Sequence, residues 1–324
     1  MRKFKAALLL YLKGFSMGAA DVVPGVSGGT IAFITGIYDE LIQSIRSVNY
    51  QSLKILFKEG PLSFWKAVNG RFLSILLLGI LSSIITLARI IKYLLTYEPV
   101  LIWSFFFGLI IASVIYVGKQ IDKWNIQNII SLLLGAISAY LITISSPAGG
   151  IDSLPYIFFS ATIAICAMIL PGISGSFILL LLGSYSVVLG AVTGFSDALK
   201  VGNSDELILY GTKLFVFALG CIIGITMFAR LLGYVLNNYR SVTIAVLTGF
   251  MLGSLNKVWP WKETLEYRFN SSGEKVPFLE ENISPFYYAE LYSTSHQLFW
   301  AVLLACLGVV LVLGLEKIGN ISSD

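Results

Sequence analysis

The sequence predicts an all-α polytopic membrane protein built from two inverted-topology repeats, each a broken re-entrant helical hairpin followed by three transmembrane helices. Three observations predict it. Hydrophobic residues fill 56% of the 324 positions and charged residues only 12%, and several apolar windows exceed the ~20 residues that cross a hydrocarbon core about 30 Å thick. An unusual phrase occurs twice: Val23-Pro24-Gly25-Val26-Ser27-Gly28-Gly29 returns as Leu170-Pro171-Gly172-Ile173-Ser174-Gly175-Ser176, 147 positions later, and Gly36 and Tyr38 recur at the same offset as Gly183 and Tyr185. Lys and Arg, finally, crowd the loops of one side.

The elements follow in chain order. The first apolar block, 4–45, is broken at Pro24 and Gly25, because proline lacks an N–H and glycine weakens a helix interior; it reads as a hairpin of two short helices. Helices follow at 72–95, 99–117 and 126–144. The second half repeats the plan, with a block at 156–195 broken at Pro171 and Gly172, then helices at 207–236, 242–258 and 298–318. The likeness extends beyond the hairpins: Ala88-Arg89-Ile90-Ile91 aligns with Ala229-Arg230-Leu231-Leu232 at an offset of 141, as do Gly108 with Gly249 and Ser113 with Ser254. A duplication of this length divides the chain into repeats at 1–150 and 151–324. Residues 259–297 have no counterpart in the first half. With Trp259, Trp261, Tyr287, Tyr288 and Tyr292 they read as an outer cap at the membrane interface or as a surface loop.

Charge placement gives the topology. With the N-terminus inside and each hairpin leaving on the side it entered, the inner side receives Arg2, Lys3, Lys5, Lys13, Arg46 and eight further basic residues, and the outer side Lys200, Lys257, Lys262, Arg268 and Lys275. Three full spans per half is an odd number, so the halves are inverted, with both termini cytoplasmic. The basic, then apolar, N-terminus resembles a signal peptide, but no small-residue cleavage site precedes a polar region, so it is expected to be retained.

The chemistry-bearing residues are few. Cys166, Cys221 and Cys306 sit in apolar runs without paired spacing, and no metal-ligand cluster, nucleophile triad or phosphate-binding loop appears. Nor is there a basic tract of the kind that binds nucleic acid. Helices broken at matching places in two halves mark a transporter's central site. Each Pro-Gly-x-Ser-Gly turn precedes an apolar helix that Ser27 or Ser174 is placed to cap, and two such helix N-termini facing each other make an anion cradle. Ser27, Gly28, Gly29, Thr30, Ser174, Gly175 and Ser176 are therefore candidate phosphate- or carboxylate-binding residues; the alternative is that the glycines and prolines only permit close packing and kinks. Arg89 and Arg230, one per repeat near the end of a span, either receive an anionic head on each side or snorkel to lipid headgroups. Asp21, opposite Met168 in the repeat alignment, binds a coupling proton or sodium ion, pairs with an arginine, or serves as a local turn acceptor. No cofactor is expected otherwise.

The run from Gly14 to Thr30, continued by Gly36 and Tyr38 and echoed by Leu170 to Ser176, resembles bacterial polyprenyl-phosphate transporters over essentially the whole chain. The resemblance implies a non-enzymatic translocase of the cytoplasmic membrane. Its substrate would be undecaprenyl phosphate, returned from the outer to the cytoplasmic leaflet for peptidoglycan and other envelope polymers. Two rivals stand beside it. Undecaprenyl-pyrophosphate phosphatases also use duplicated re-entrant hairpins, but with an arginine after the serine, where this chain has Gly28 and Gly175. A small-anion transporter would use the same cradle.

Overall fold

The computed structural model describes residues 2–23, 26–145, 151–269 and 275–321. The first half of the chain comprises α1 (Arg2–Asp21), α2 (Gly28–Ile34), α3 (Tyr38–Ser47), α4 (Tyr50–Glu59), α5 (Pro61–Ala67), α6 (Gly70–Tyr97), α7 (Pro99–Gly118) and α8 (Ile126–Ile144). The second comprises α9 (Leu154–Ile169), α10 (Gly175–Leu181), α11 (Tyr185–Val201), α12 (Ser204–Asn238), α13 (Arg240–Ser254), a hairpin of β1 (Lys262–Phe269) and β2 (Lys275–Asn282), α14 (Pro285–Tyr292) and α15 (Leu298–Ile321). Pro24 and Gly25, expected as the first break, lie outside the described residues.

Each broken block is three helices rather than the expected two. The extra break is at the duplicated glycines: Gly36 and Gly183 have φ of +71° and +67°. Ile37 and Ser184 each donate an N–H back to the carbonyls of Ala32 and Leu179, and Gly36 and Gly183 to those of Phe33 and Leu180. This double bond pattern ends a helix with a left-handed residue, which glycine adopts without steric cost. It satisfies carbonyls that would otherwise be stranded in hydrocarbon. The α10–α11 pair is consequently bent by 106°.

Among the described residues, helices α6, α7, α8 and α12 are long and apolar enough to span a membrane, and α10 with α11 would make a fifth only as a bent pair. The first half thus has its three full spans. In the second, α13 has 15 residues, whereas α15 runs 24 residues from Leu298 to Ile321. Helix α13 is largely buried between neighbours, so its length is set by protein rather than by lipid. Elsewhere the apolar surface faces outward, as at Leu78 and Ile85 of α6 and Phe215 and Met227 of α12.

Close approach through glycine joins the helices, as membrane interfaces require where hydrophobic burial gives no drive. Helix α1 packs on α6 and α9 on α12, the same pair in each repeat. The last helix of each half crosses over: α8 lies on α13 and α15 on α7. The aligned Gly108 and Gly249 sit at these crossings, where a Cβ would collide with the Ala305 and Leu132 carbonyls. One contact departs from the pattern. Helix α3 crosses to α12 of the other repeat, whereas α11 lies along α12 of its own.

Two regions are more ordered than the sequence suggests. Residues 50–67 form two surface helices that expose Tyr50, Phe57, Leu62 and Trp65 beside Lys54, Lys58 and Lys66, an interfacial pattern. The 259–297 insertion is an antiparallel β-hairpin plus α14, so the fold is not wholly α. It is tied down by its tryptophans: the Trp259 and Trp261 indole N–H groups donate to the carbonyls of Ile283 and His296 at 2.9 Å.

Candidate functional site

The duplicated turns meet in the core. Pro171 and Gly172 occupy the middle of a Leu170–Ile173 turn whose ends are joined by a 3.5 Å bond, and Gly172 has φ +85°, as a glycine following proline does in a type II turn. Val26 donates to Val23 across the matching step of the first repeat. The first tip is stitched onto the second. The Ser27 hydroxyl lies 3.3 and 3.1 Å from the Met168 and Leu170 carbonyls, Tyr38 donates its hydroxyl to the Ile169 carbonyl at 3.1 Å, and the Gly172 N–H donates to Thr30 Oγ1 at 3.0 Å. Ser27 and Thr30 are fully buried. A Cβ on Gly172 would lie 2.8 Å from the Met251 Cα, so α13 backs the turn.

The two helix starts differ. At α2 the N-terminal donors are used inside the protein: Gly28 N–H to Asp21 Oδ1 at 2.7 Å, Gly29 N–H to Ser27 Oγ at 3.1 Å, and Thr30 N–H to the Ser27 carbonyl at 3.0 Å. Ser27 is the expected cap, and Asp21 occupies the local-acceptor role, its negative charge at the positive end of a helix. The first repeat therefore presents no open cradle in this conformation. At α10 the expected cap is not made. Ser174 Oγ lies 2.9 Å from Ser176 Oγ instead, and no acceptor for the N–H groups of Gly175, Ser176 and Phe177 is found among the described residues. Met168 stands where Asp21 would be needed, which explains the difference. Ser176 is exposed, whereas Ser174 is buried.

Arg89 and Arg230 keep their symmetry but are not brought to the tips by any hydrogen bond or ion pair. Both are exposed, each eight residues before the end of its helix at Tyr97 or Asn238, or ~12 Å along the axis at 1.5 Å per residue. At one end of the molecule α3 closes against the other repeat, with Arg46 lying over Gly233 and Asp39 paired to Arg240 at 2.9 Å.

The sequence reading missed a second polar cluster. Lys257, in the turn after α13, and Lys262, at the start of β1, flank the two anchoring tryptophans and share Glu280 of β2 at 3.4 and 3.7 Å. A lysine on each side of Val258-Trp259-Pro260-Trp261 was the available signal. Burial lowers the Lys262 pKa to about 8 against the opposing pull of Glu280. Burial alone would raise Glu280, but the Lys262 and Lys257 charges outweigh it and hold that carboxyl below its usual range.

Comparison with known proteins places this arrangement. The sequence profile of a family described as undecaprenyl phosphate translocase-like matches residues 17–276, from α1 through both tips to the β-hairpin. The chain belongs to that family. A polyprenyl-phosphate transporter of Vibrio cholerae serotype O1 is 50% identical over 310 residues, 96% of each chain. A polyprenyl-phosphate transporter of Staphylococcus aureus is 32% identical over 272 residues, 80% of this chain and 88% of the other. No solved structure matches. The matched region spans both tips, Lys257 and Lys262.

Proposed function

We propose that this chain moves a polyprenyl phosphate between the leaflets of the bacterial cytoplasmic membrane, returning undecaprenyl phosphate from the outer to the cytoplasmic side without chemical change to it. The observation that carries the reading is the meeting of two duplicated helix breaks inside a membrane protein, one with its donors used and one with donors free among the described residues. A lipid phosphate has a charged head that must be sheltered across the core and a tail that stays in lipid. The start of α10, with Ser174, Gly175 and Ser176, replaces water around the head. The start of α2, with Ser27, Gly28, Gly29 and Thr30, holds the two tips in register and offers donors of its own once they part.

The halves work by alternating access. The α3–α12 contact and the Asp39–Arg240 pair close one end, and the symmetry-related contact of α11 with α6 would close the other. With the N-terminus inside, the closed end is cytoplasmic and the open one outer. Arg89 captures the head on the outer side and Arg230 receives it on the inner side. Asp21 is the group through which a coupling proton or sodium ion acts, since protonating it weakens the hold on α2. The transporter names of two relatives that cover most of this chain support the substrate class. The serine hydroxyl of the first tip donates to backbone carbonyls rather than facing a general base, which sets it apart from a phosphatase nucleophile.

A leaflet assay tests this. Purified protein is placed in liposomes carrying a fluorescent polyprenyl phosphate, and a membrane-impermeant quencher is added under imposed proton or sodium gradients. Protein-dependent loss of the protected pool, reduced at least ~10-fold in Arg89→Ala, is the expected result. Folded protein that moves no lipid under any gradient overturns the proposal.

A further inference from the structure

Beneath the β-hairpin lies a cavity of ≈ 490 Å³ bounded by Tyr140 of α8, Phe177 of α10, Lys257, Lys262, Glu280 and Glu281. That volume falls in the range of small-molecule sites. Its floor carries an unusual group. The Lys262 side chain is 7% exposed, its Nζ sits 3.7 Å above the centre of the Trp103 ring, and it makes no hydrogen bond among the described residues. An ammonium carries three donors, and the nearest carboxylate oxygen, on Glu280, is 3.7 Å away and also serves Lys257 at 3.4 Å. The buried Lys262 and the half-buried Lys257 therefore divide one half-buried carboxylate, and Glu281 stands at the exposed rim. Leaving a buried ammonium without an acceptor is costly, and the shape of the site states what relieves it: an acceptor-rich anion.

We propose that Lys257 and Lys262 form an entry site for a phosphate monoester under the β-hairpin, distinct from the crossed tips. The inference rests on the transport reading for its place in a pathway, while the site itself stands on the cavity, the buried Lys262 and its neighbour Lys257. A monoester brings nearly two negative charges and three acceptor oxygens, which matches two ammoniums sharing one carboxylate. The wall facing α10 is apolar, with Phe177, Leu180 and Leu181, so a prenyl chain attached to the phosphate has a dry surface to follow. Lys257 also lies 4.9 Å from the Phe177 ring centre. Phe177 is the third residue of α10, so occupancy of the cavity is felt at the open tip.

The test uses the full chain in nanodiscs, titrated with inorganic phosphate and with farnesyl phosphate, in wild type, Lys262→Met, Lys257→Met and Glu280→Gln, with folding checked by tryptophan fluorescence. Each Lys→Met variant is expected to weaken binding at least ~10-fold, and Glu280→Gln to tighten it about 3-fold or more by releasing both lysines. A merely structural cluster would loosen in all three. Lysine-dependent binding of farnesyl phosphate alone identifies a lipid headgroup as the ligand, and equal binding of inorganic phosphate identifies the free anion. Unchanged affinity in folded Lys262→Met, or weaker affinity in Glu280→Gln, overturns the site. The leaflet assay is read separately: wild type that binds but moves no lipid removes the transport reading and leaves the site standing.

Discussion

The two hairpin tips start from nearly the same phrase and end in opposite states. At the first, Ser27 caps α2 at the Gly29 amide, Asp21 accepts from the Gly28 amide before it, and Ser27, Thr30 and Tyr38 bind the backbone of the second. At the second, Ser174 and Ser176 bind each other and the first turn of α10 keeps its donors free among the described residues. One residue accounts for much of the difference: a carboxylate at position 21 satisfies α2, and Met168 at the aligned place gives α10 nothing to accept with. The lesson is that duplication fixes where a helix breaks, while the neighbouring side chains decide whether the break is a joint or a binding surface.

The comparison breaks most visibly at Gly172. Its φ of +85° and the 2.8 Å approach to Met251 leave no room for a Cβ, so Gly172→Ala should cost several kcal/mol, ~3 or more, through strain and overpacking together. Gly36→Ala, where φ is also positive but space is open, should cost only ~1–2 kcal/mol. Thermal unfolding in detergent, followed by fluorescence-detected gel filtration, compares the two. Equal losses would mean that the Met251 contact is unimportant.

The next test separates joint from surface. Ser27→Ala removes a cap and two links between the halves, at about 1–2 kcal/mol of stability. Ser174→Ala removes no cap and should leave stability within ~0.5 kcal/mol, yet Ser174→Ala combined with Ser176→Ala should slow lipid movement at least ~10-fold. The reverse pattern would exchange the roles of the tips. Thr30→Val is a smaller probe of the same seam: it leaves the buried Gly172 N–H without its acceptor, at ~1–3 kcal/mol, and the Thr30→Ser variant should restore most of it.

The smallest effect concerns pH. Phosphate binding under the β-hairpin needs Lys262 charged, and its pKa is lowered to about 8. The site is therefore mostly protonated at pH 7 and binding falls as pH rises through about 8. Lys257, Glu280 and Glu281 are the other charged groups facing the cavity. Binding of farnesyl phosphate measured from pH 6.5 to 9.5 should fall through that window, and Lys262→Arg, which stays charged, should flatten the curve. A decline of the same midpoint in Lys262→Arg would assign it to another group.

Most of the helical layout was legible in the sequence. The 126–144 helix is α8 residue for residue, and the glycine pairs at 36 and 183 and at 108 and 249 mark helix ends and helix crossings. Hydropathy and backbone conformation are local properties, so a single chain declares them. The third helix of each broken block and the surface helices over 50–67 were missed, because Gly36 looked like part of the motif and the surface helices are too polar for a hydropathy signal. The expected candidates Arg89 and Arg230 hold matching helix positions but have no hydrogen-bonded or ionic partner among the described residues.

What the sequence determined by itself is a membrane-embedded helical chain interrupted between α1 and α2 and again at Pro171-Gly172, since apolar length, proline and glycine act within a few residues of themselves. What the tertiary structure decided is which amides those breaks leave free and where Lys262 is buried. Both depend on partners far along the chain: Ser27 on Leu170, Thr30 on Gly172, and Lys262 on Trp103 and Glu280. Hydrogen bonds and burial between such distant residues exist only once the two halves have crossed.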